Sequence, residues 1–342
     1  MLTVFSDDHL LRDARTELHG GELVPPHECP ERAKIVLERV QAVGLGAVIR
    51  PARHGLAPVL RVHDQDFVDF LSTAAAEWAA TGARGEAIPD CFPARRMTQR
   101  RPTSIAGRLG YYAMALETSI TPGTWEAACA AADVALTAAG RLKRGERAAF
   151  ALCRPPGHHA ARDLYGGYCF LNNAAIAAQY LRDQGAERVA VLDVDFHHGN
   201  GTQDIFYDRA DVLFVSIHGD PADAFPYFSG YADETGAGAG DGQTLNLPLP
   251  PGTAFPAWRA ALEVGLARIR AFAADALVVS LGVDTFAGDP ISFFKLESAD
   301  FTSYGRLIAG CGLPTVFVLE GGYAVADIGV NVVNVLTGFE QR

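Results

Sequence analysis

Short apolar runs separated by longer amphipathic stretches organise the chain. Runs rich in Val, Leu, Ile and Phe occupy residues 148–153, 188–193, 212–217, 277–281 and 315–319, and a shorter one at 3–6 opens the sequence. Each is nearly continuous rather than alternating, which is the pattern of strands covered on both faces of a parallel sheet. Helical spacing predicts helices over residues 31–42, 63–80, 171–184, 255–273, 299–310 and 326–337. Pro30 suits the first turn of the first of these. This alternation predicts one α/β domain spanning residues 1–342, with a mainly parallel central sheet flanked by helices. Residues 81–104 stand apart, with Arg95, Arg96, Arg100 and Arg101 and no period. A loop that long inside a compact domain is usually functional or disordered; a solvated basic surface and a lid or oligomer contact both stay open. The Gly-rich stretch 235–242 reads as a flexible loop.

Composition narrows the class. The chain has 342 residues, 49% hydrophobic and 20% charged, enough apolar material for a large core without disulfide or metal staples. Charges interrupt every long apolar run, so no helix of ~20 apolar residues is expected to span a membrane. The opening Met1-Leu2-Thr3-Val4-Phe5-Ser6-Asp7-Asp8 lacks the basic head and apolar stretch of a signal peptide. The net charge of −11 argues against nucleic acid as a partner and is permissive for a cationic substrate. Six cysteines lie scattered with no CxxC spacing and read as reduced thiols, so a cytoplasmic location is expected.

The chemistry gathers just past the carboxyl ends of the strands, where open α/β sheets bind ligands. There stand Arg154-Pro155-Pro156-Gly157-His158-His159, then Asp193-Val194-Asp195-Phe196-His197-His198-Gly199-Asn200, then His218, Asp284, and Glu320-Gly321-Gly322-Tyr323. In an extended chain Asp193, Asp195 and His197 share one face. Two carboxylates and an imidazole so placed repel and desolvate one another unless a cation lies among them. Asp193 and His197 would be ~13 Å apart in a straight strand, too far for one ion. Asp195 and His197 are therefore the expected ligands, with Asp284 as the third. Such a set suits a catalytic Zn²⁺, and would also accept Fe²⁺, Co²⁺ or Mn²⁺. The metal would bring the pKa of a bound water to about 7 and polarise a carbonyl. His158 and His159 would move protons, Asp193 and Asn200 would orient them, and Tyr323 could donate to an oxyanion. Together these residues point to metal-assisted hydrolysis of an amide or related carbonyl compound.

At these motifs the sequence resembles the histone deacetylase superfamily, and within it the bacterial acetylpolyamine amidohydrolases. The likeness runs from Phe5-Ser6-Asp7-Asp8-His9 to the Glu320-Gly321-Gly322-Tyr323 motif. It includes Thr16-Glu17-Leu18, the stretch from Gly20-Gly21-Glu22 to Pro25-Pro26, Pro122-Gly123-Thr124-Trp125-Glu126, Gly282-Val283-Asp284-Thr285-Phe286 and the segment from Asp289-Pro290 to Leu296. The resemblance implies an arginase/deacetylase-type fold and one Zn²⁺ on Asp195, His197 and Asp284. It implies His159 as general base and acid, His158 paired to Asp193 as its electrostatic partner, and Tyr323 on the scissile carbonyl. Tyr168, Phe225, Gly167 and Glu117 match substrate-binding positions, with Glu117 near the mouth. A structural K⁺ is implied around Asp193, Asp195, His197, Ser216 and Ile217.

The resemblance also gives the 81–104 insertion a role, as a homodimer interface that narrows the tunnel and excludes folded proteins. Two departures bear on this picture. Ala106 stands where the subfamily can carry another acid, and Asn200 stands where some histone deacetylases have Asp, leaving His159 less cationic. The implied reaction is hydrolysis of N-acetylated polyamines to acetate and free polyamine. An acetyl-lysine or small acyl-amine deacetylase is the alternative. Further from it stand a ureohydrolase with two Mn²⁺ ions and a non-catalytic sensor of acetylated amines.

Overall fold

The computed structural model describes residues 1–341. In chain order the elements are β1 (Leu2–Val4), β2 (Glu17–His19), β3 (Glu22–Val24), α1 (Pro30–Ala42), β4 (Val48–Ile49), α2 (Gln65–Ala80), α3 (Ile105–Tyr111), α4 (Thr124–Leu142), β5 (Ala148–Ala151) and α5 (Asn173–Asp183). They continue with β6 (Val189–Asp193), α6 (Asn200–Phe206), β7 (Val212–Gly219), β8 (Thr244–Leu249), α7 (Phe255–Phe272), β9 (Ala276–Leu281), α8 (Ser298–Ala309), β10 (Thr315–Leu319) and α9 (Val325–Glu340).

Eight strands form one sheet in the order β4-β1-β5-β10-β9-β6-β7-β8, every neighbouring pair parallel. Side chains alternate along each strand, so one strand feeds two cores. In β10, Val316 and Val318 pack with Val278, Val191 and the helices α2, α4 and α5. Phe317 and Leu319 pack on the other face with Val279, Leu192 and the helices α1, α7, α8 and α9. This is why the apolar runs read as continuous: both faces are covered. On the second face α8 and α9 lie almost in backbone contact. A Cβ added to Gly305 would sit 2.2 Å from the Val335 carbonyl oxygen, and one on Gly338 equally close to that of Thr302.

Several elements depart from the sequence reading. The 19-residue α4, which the sequence reading did not anticipate, carries Ala at many positions and is buried nearly all round. The edge strand β8 contains Pro248, which normally argues against a strand but is tolerated at a sheet edge. α2 begins at Gln65 rather than His63, and β7 runs on to Gly219, taking His218 into the strand. Residues 81–104 form no helix or strand, and no helix among the described residues is long and apolar enough to cross a membrane.

Candidate active site

The four central strands β5, β10, β9 and β6 end along one edge of the sheet, and each passes the chain to a loop bearing part of the site. After β6 the extended conformation stops at Asp193, which corrects the expectation of a single strand face through His197. The chain turns because side chains capture backbone donors. The Asp195 N–H donates to Asp193 Oδ1 at 3.1 Å, and the His197 N–H to Asp195 Oδ1 at 2.9 Å. The turn still delivers Asp195 and His197 to the end of β9, where Asp284 waits.

These three residues are buried, with a donor atom from each within 4.8 Å of the others. His197 Nδ1 lies 3.0 Å from Asp284 Oδ2 and 3.2 Å from Asp195 Oδ1. Backbone closes on the carboxylates: a Cβ on Gly321 would fall 2.4 Å from Asp284 Oδ2 and 2.5 Å from Asp195 Oδ2. The Gly321 N–H donates to Asp195 and the Phe196 N–H to Asp284. Two adjacent buried carboxylates are costly without a cation, and a carboxylate–imidazole–carboxylate set is the donor chemistry of a divalent transition metal. The residues present fit such an ion. Asp193 stands outside the group and pairs with His158 instead.

The electrostatics agree. Burial and the neighbouring Asp195 charge push Asp284 up to about 8. Burial works against ionised Asp195, yet the His158 and His197 charges outweigh it and hold that carboxyl well below its usual range. Burial also works against protonated His197, but its bonds to Asp195 and Asp284 raise it to about 10. An ion entering here must displace the His197 proton, and below about pH 8 an Asp284 proton too. Apparent metal affinity is therefore expected to fall at least about tenfold for each pH unit between 8 and 6, measured by competition with a calibrated chelator. An affinity independent of pH in that window would contradict the assignment.

The loop after β5 presents the two histidines side by side, ring centroids 4.0 Å apart. Glu320 shapes it, one carboxylate oxygen accepting the Gly157 and His158 N–H groups at 2.6 and 3.1 Å. His158 Nδ1 pairs with Asp193 at 3.0 Å, and His159 Nδ1 with Asn200 Oδ1 at 2.7 Å. The Asn200 amide is oriented from its other side, where Nδ2 reaches Met114 Sδ and the His159 carbonyl. Burial opposes a charge on His158, but Asp195 and Asp193 overcome it and raise the ring to about 10. Burial and the His158 and His197 charges drive His159 the other way, far below its ordinary value. The two rings are thus pushed in opposite directions, His158 toward the cation and His159 toward a neutral base whose Nδ1 faces the Asn200 amide oxygen.

Tyr323 sits on the Gly321-Gly322 turn, its N–H donating to Asp289 Oδ2 at 2.7 Å. The Arg32 guanidinium lies 4.8 Å from the ring centroid and donates to the Glu320 and Gly322 carbonyls at 2.6 and 2.7 Å. Arg32 is held in turn by Glu28, which also pairs with Arg154. This buried cluster ties α1 to the loops after β5 and β10. A break on either side strands a charge, a loss usually of ~3–5 kcal/mol.

Above the histidines and Tyr323 opens a cavity of about 380 Å³. Tyr168, Phe225, Phe196 and Phe293 wall it, and the half-buried Leu18 and exposed His19, Gly20, Asp223 and Tyr227 also line it. Gly167, at φ +55°, lets the chain pass against His159, whose Cδ2 would lie 2.2 Å from an added Cβ. Its N–H donates to Glu117 Oε1 at 2.6 Å, which puts that carboxylate in the lining. Ser216 and Ile217 lie outside the cavity in β7, with Ser216 in register beside Asp193 and bonded to His218. His218 spends its two ring nitrogens on Ser216 and the Gly230 carbonyl, which sets it apart from the cluster expected at the strand ends. No described residue of 81–104, nor Ala106, lines the cavity of a single chain.

Sequence reasoning missed Asp289, Glu320, Arg32, Glu28 and Asp223. Asp289 and Glu320 lay within quoted motifs, but their roles depend on which backbone donors fold onto them.

Residues 26–339 match the histone deacetylase domain model. The chain is 59% identical to an acetylpolyamine amidohydrolase of Mycoplana ramosa and 57% identical to acetylpolyamine amidohydrolase 2 of Pseudomonas aeruginosa, with 99% of both chains covered in each case. It superposes on the crystal structure of an acetylpolyamine aminohydrolase from Burkholderia pseudomallei with a TM-score of 0.94 at 42% identity, covering 99% of this chain and 98% of that one. With its metal-suited triad, paired histidines and whole-length likeness to these proteins, the chain belongs to the histone deacetylase family and is a metal-dependent, hydrolytic deacetylase.

Proposed function

We propose that the chain hydrolyses the acetamide bond of N-acetylated polyamines, giving acetate and the free polyamine. One observation carries the substrate class: the cavity lining includes two carboxylates, Glu117 and Asp223, and neither Lys nor Arg among the described residues. A thin cationic chain is favoured there, its aliphatic stem between Tyr168 and Phe225. The names of the relatives at 57–59% identity support the same reading.

In this mechanism Asp195, His197 and Asp284 would hold one Zn²⁺, with Fe²⁺, Co²⁺ or Mn²⁺ as possible substitutes. Such an ion supplies Lewis acidity, polarising the acetamide carbonyl and acidifying a water. His159, neutral and with Nδ1 committed to Asn200, accepts a proton from water at Nε2 as the carbon–oxygen bond forms. The Tyr323 hydroxyl donates to the carbonyl oxygen as charge builds on it. His159 then returns its proton to the leaving nitrogen as the carbon–nitrogen bond breaks. His158, held by Asp193, keeps a positive charge beside the developing anion.

A structural K⁺ would use oxygens around Asp193, Asp195, His197, Ser216 and Ile217, a reading supported by the register that sets Asp193 beside Ser216. Residues 81–104 would pack against a second copy and complete the tunnel entrance, their exposed Phe92 and Met97 becoming covered. The expected location is the cytoplasm.

The test is kcat/KM of the zinc-loaded enzyme for N-acetylputrescine, longer acetylpolyamines and an acetyl-lysine peptide, compared side by side. The polyamines are expected to lead by about tenfold or more, the equivalent of ~1.4 kcal/mol. Equal or faster turnover of the peptide would instead favour the acetyl-lysine reading and make Ala106 the first residue to change.

A further inference from the structure

We propose that the β2–β3 hairpin and the segment after it carry a second transition-metal site, formed by Glu17, His19 and His27 at the rim of the cavity. Gly20 and Gly21, at φ +58° and +87°, make the tight two-residue turn that reverses the chain. Glu17 and His19, two residues apart on one strand, fall on the same face. Pro25 and Pro26 stiffen the return and bring His27 beside them, its ring edge-on to His19 at 5.6 Å. One donor atom from each of the three lies within 4.8 Å of the others.

The second observation is the state of Glu17. Its side chain is 1% exposed, and its Oε2 accepts the His27 N–H at 3.1 Å. Oε1 is buried 3.8 Å from His27 Nε2, and the Tyr168 hydroxyl is the other polar group that reaches this carboxylate. Burial raises this carboxyl above its ordinary range, although the Tyr168 hydroxyl and His27 work against the rise. A buried carboxylate beside one imidazole, with a second within 4.8 Å, is a set a cation would satisfy. Two histidines and one carboxylate select a borderline ion such as Zn²⁺, Ni²⁺ or Cu²⁺ over Ca²⁺ or Mg²⁺. His19 is exposed and can turn to bring the donors to the ~3–3.5 Å mutual spacing of ligands on ~2 Å bonds.

The site has a functional consequence because His19 and Gly20 line the cavity. An ion there pins the hairpin turn and adds positive charge to a lining that also holds Glu117. A second equivalent of zinc therefore raises KM for a cationic substrate and leaves kcat intact.

Stripped enzyme is titrated with Zn²⁺ alone, and bound metal is counted by equilibrium dialysis and elemental analysis. The parent is expected to hold two ions per chain, and His27→Ala and His27→Gln one each. At one equivalent of zinc both variants should match the parent in kcat/KM, and in neither should a second equivalent raise KM. A parent that saturates at one ion overturns the proposal, and so does a His19→Ala/His27→Ala chain that still holds two. The count is independent of substrate identity, so it stands apart from the test of the polyamine reading.

Discussion

Asp284→Asn is expected to lower turnover by on the order of 10³-fold or more while leaving a folded chain that no longer retains its catalytic ion. The magnitude follows from Lewis-acid assistance worth several kcal/mol, at one factor of ten per ~1.4 kcal/mol. An amide keeps the Oδ1 that accepts the Phe196 N–H at 2.7 Å but is a far poorer ligand. It also removes one of two crowded buried carboxylates, and burial beside Asp195 already pushes Asp284 up to about 8. The metal-stripped variant should therefore melt no lower than the metal-stripped parent. Acetate release, metal content and a thermal melt, taken on one preparation, separate loss of the ion from loss of the fold. A variant that keeps both its ion and its turnover would remove Asp284 from the site.

Tyr323→Phe is expected to reduce kcat on the order of 10²–10³-fold with metal content unchanged, by analogy with removal of one oxyanion donor. The ring is held independently of its hydroxyl. Arg32 lies over its face, Tyr168 packs against it with centroids 5.5 Å apart, and Asp289 accepts the backbone N–H. Phe should keep that placement, so the loss belongs to the hydroxyl and falls mainly on kcat. A variant as fast as the parent would remove Tyr323 from the role of oxyanion donor.

Much of this site was legible in the sequence because its chemistry sits at strand ends, and those strands are nearly pure apolar runs. Asp195, His197 and Asp284 could be assembled from that rule and from the electrostatic cost of bringing them together. What could not be read depends on closure over long separations. Glu28 and Arg32 look like ordinary surface charges until they meet Arg154 and the loop after β10, some 130 and 290 residues further on. Asp289 matters only because Tyr323 turns its amide toward it. The helix α4, rich in alanine and buried nearly all round, was not anticipated. Asp193, Asp195 and His197 were expected on one strand face, yet the same acidic side chains that make the site capture the backbone and end the strand.

The most direct measurement is acetate release from N-acetylputrescine by stripped enzyme as Zn²⁺ is added back in known amounts. Activity is expected to rise from near zero and reach its maximum at one equivalent of zinc per chain. Full turnover in the stripped enzyme, or a maximum reached only at two equivalents, would contradict hydrolysis at a single ion held by Asp195, His197 and Asp284.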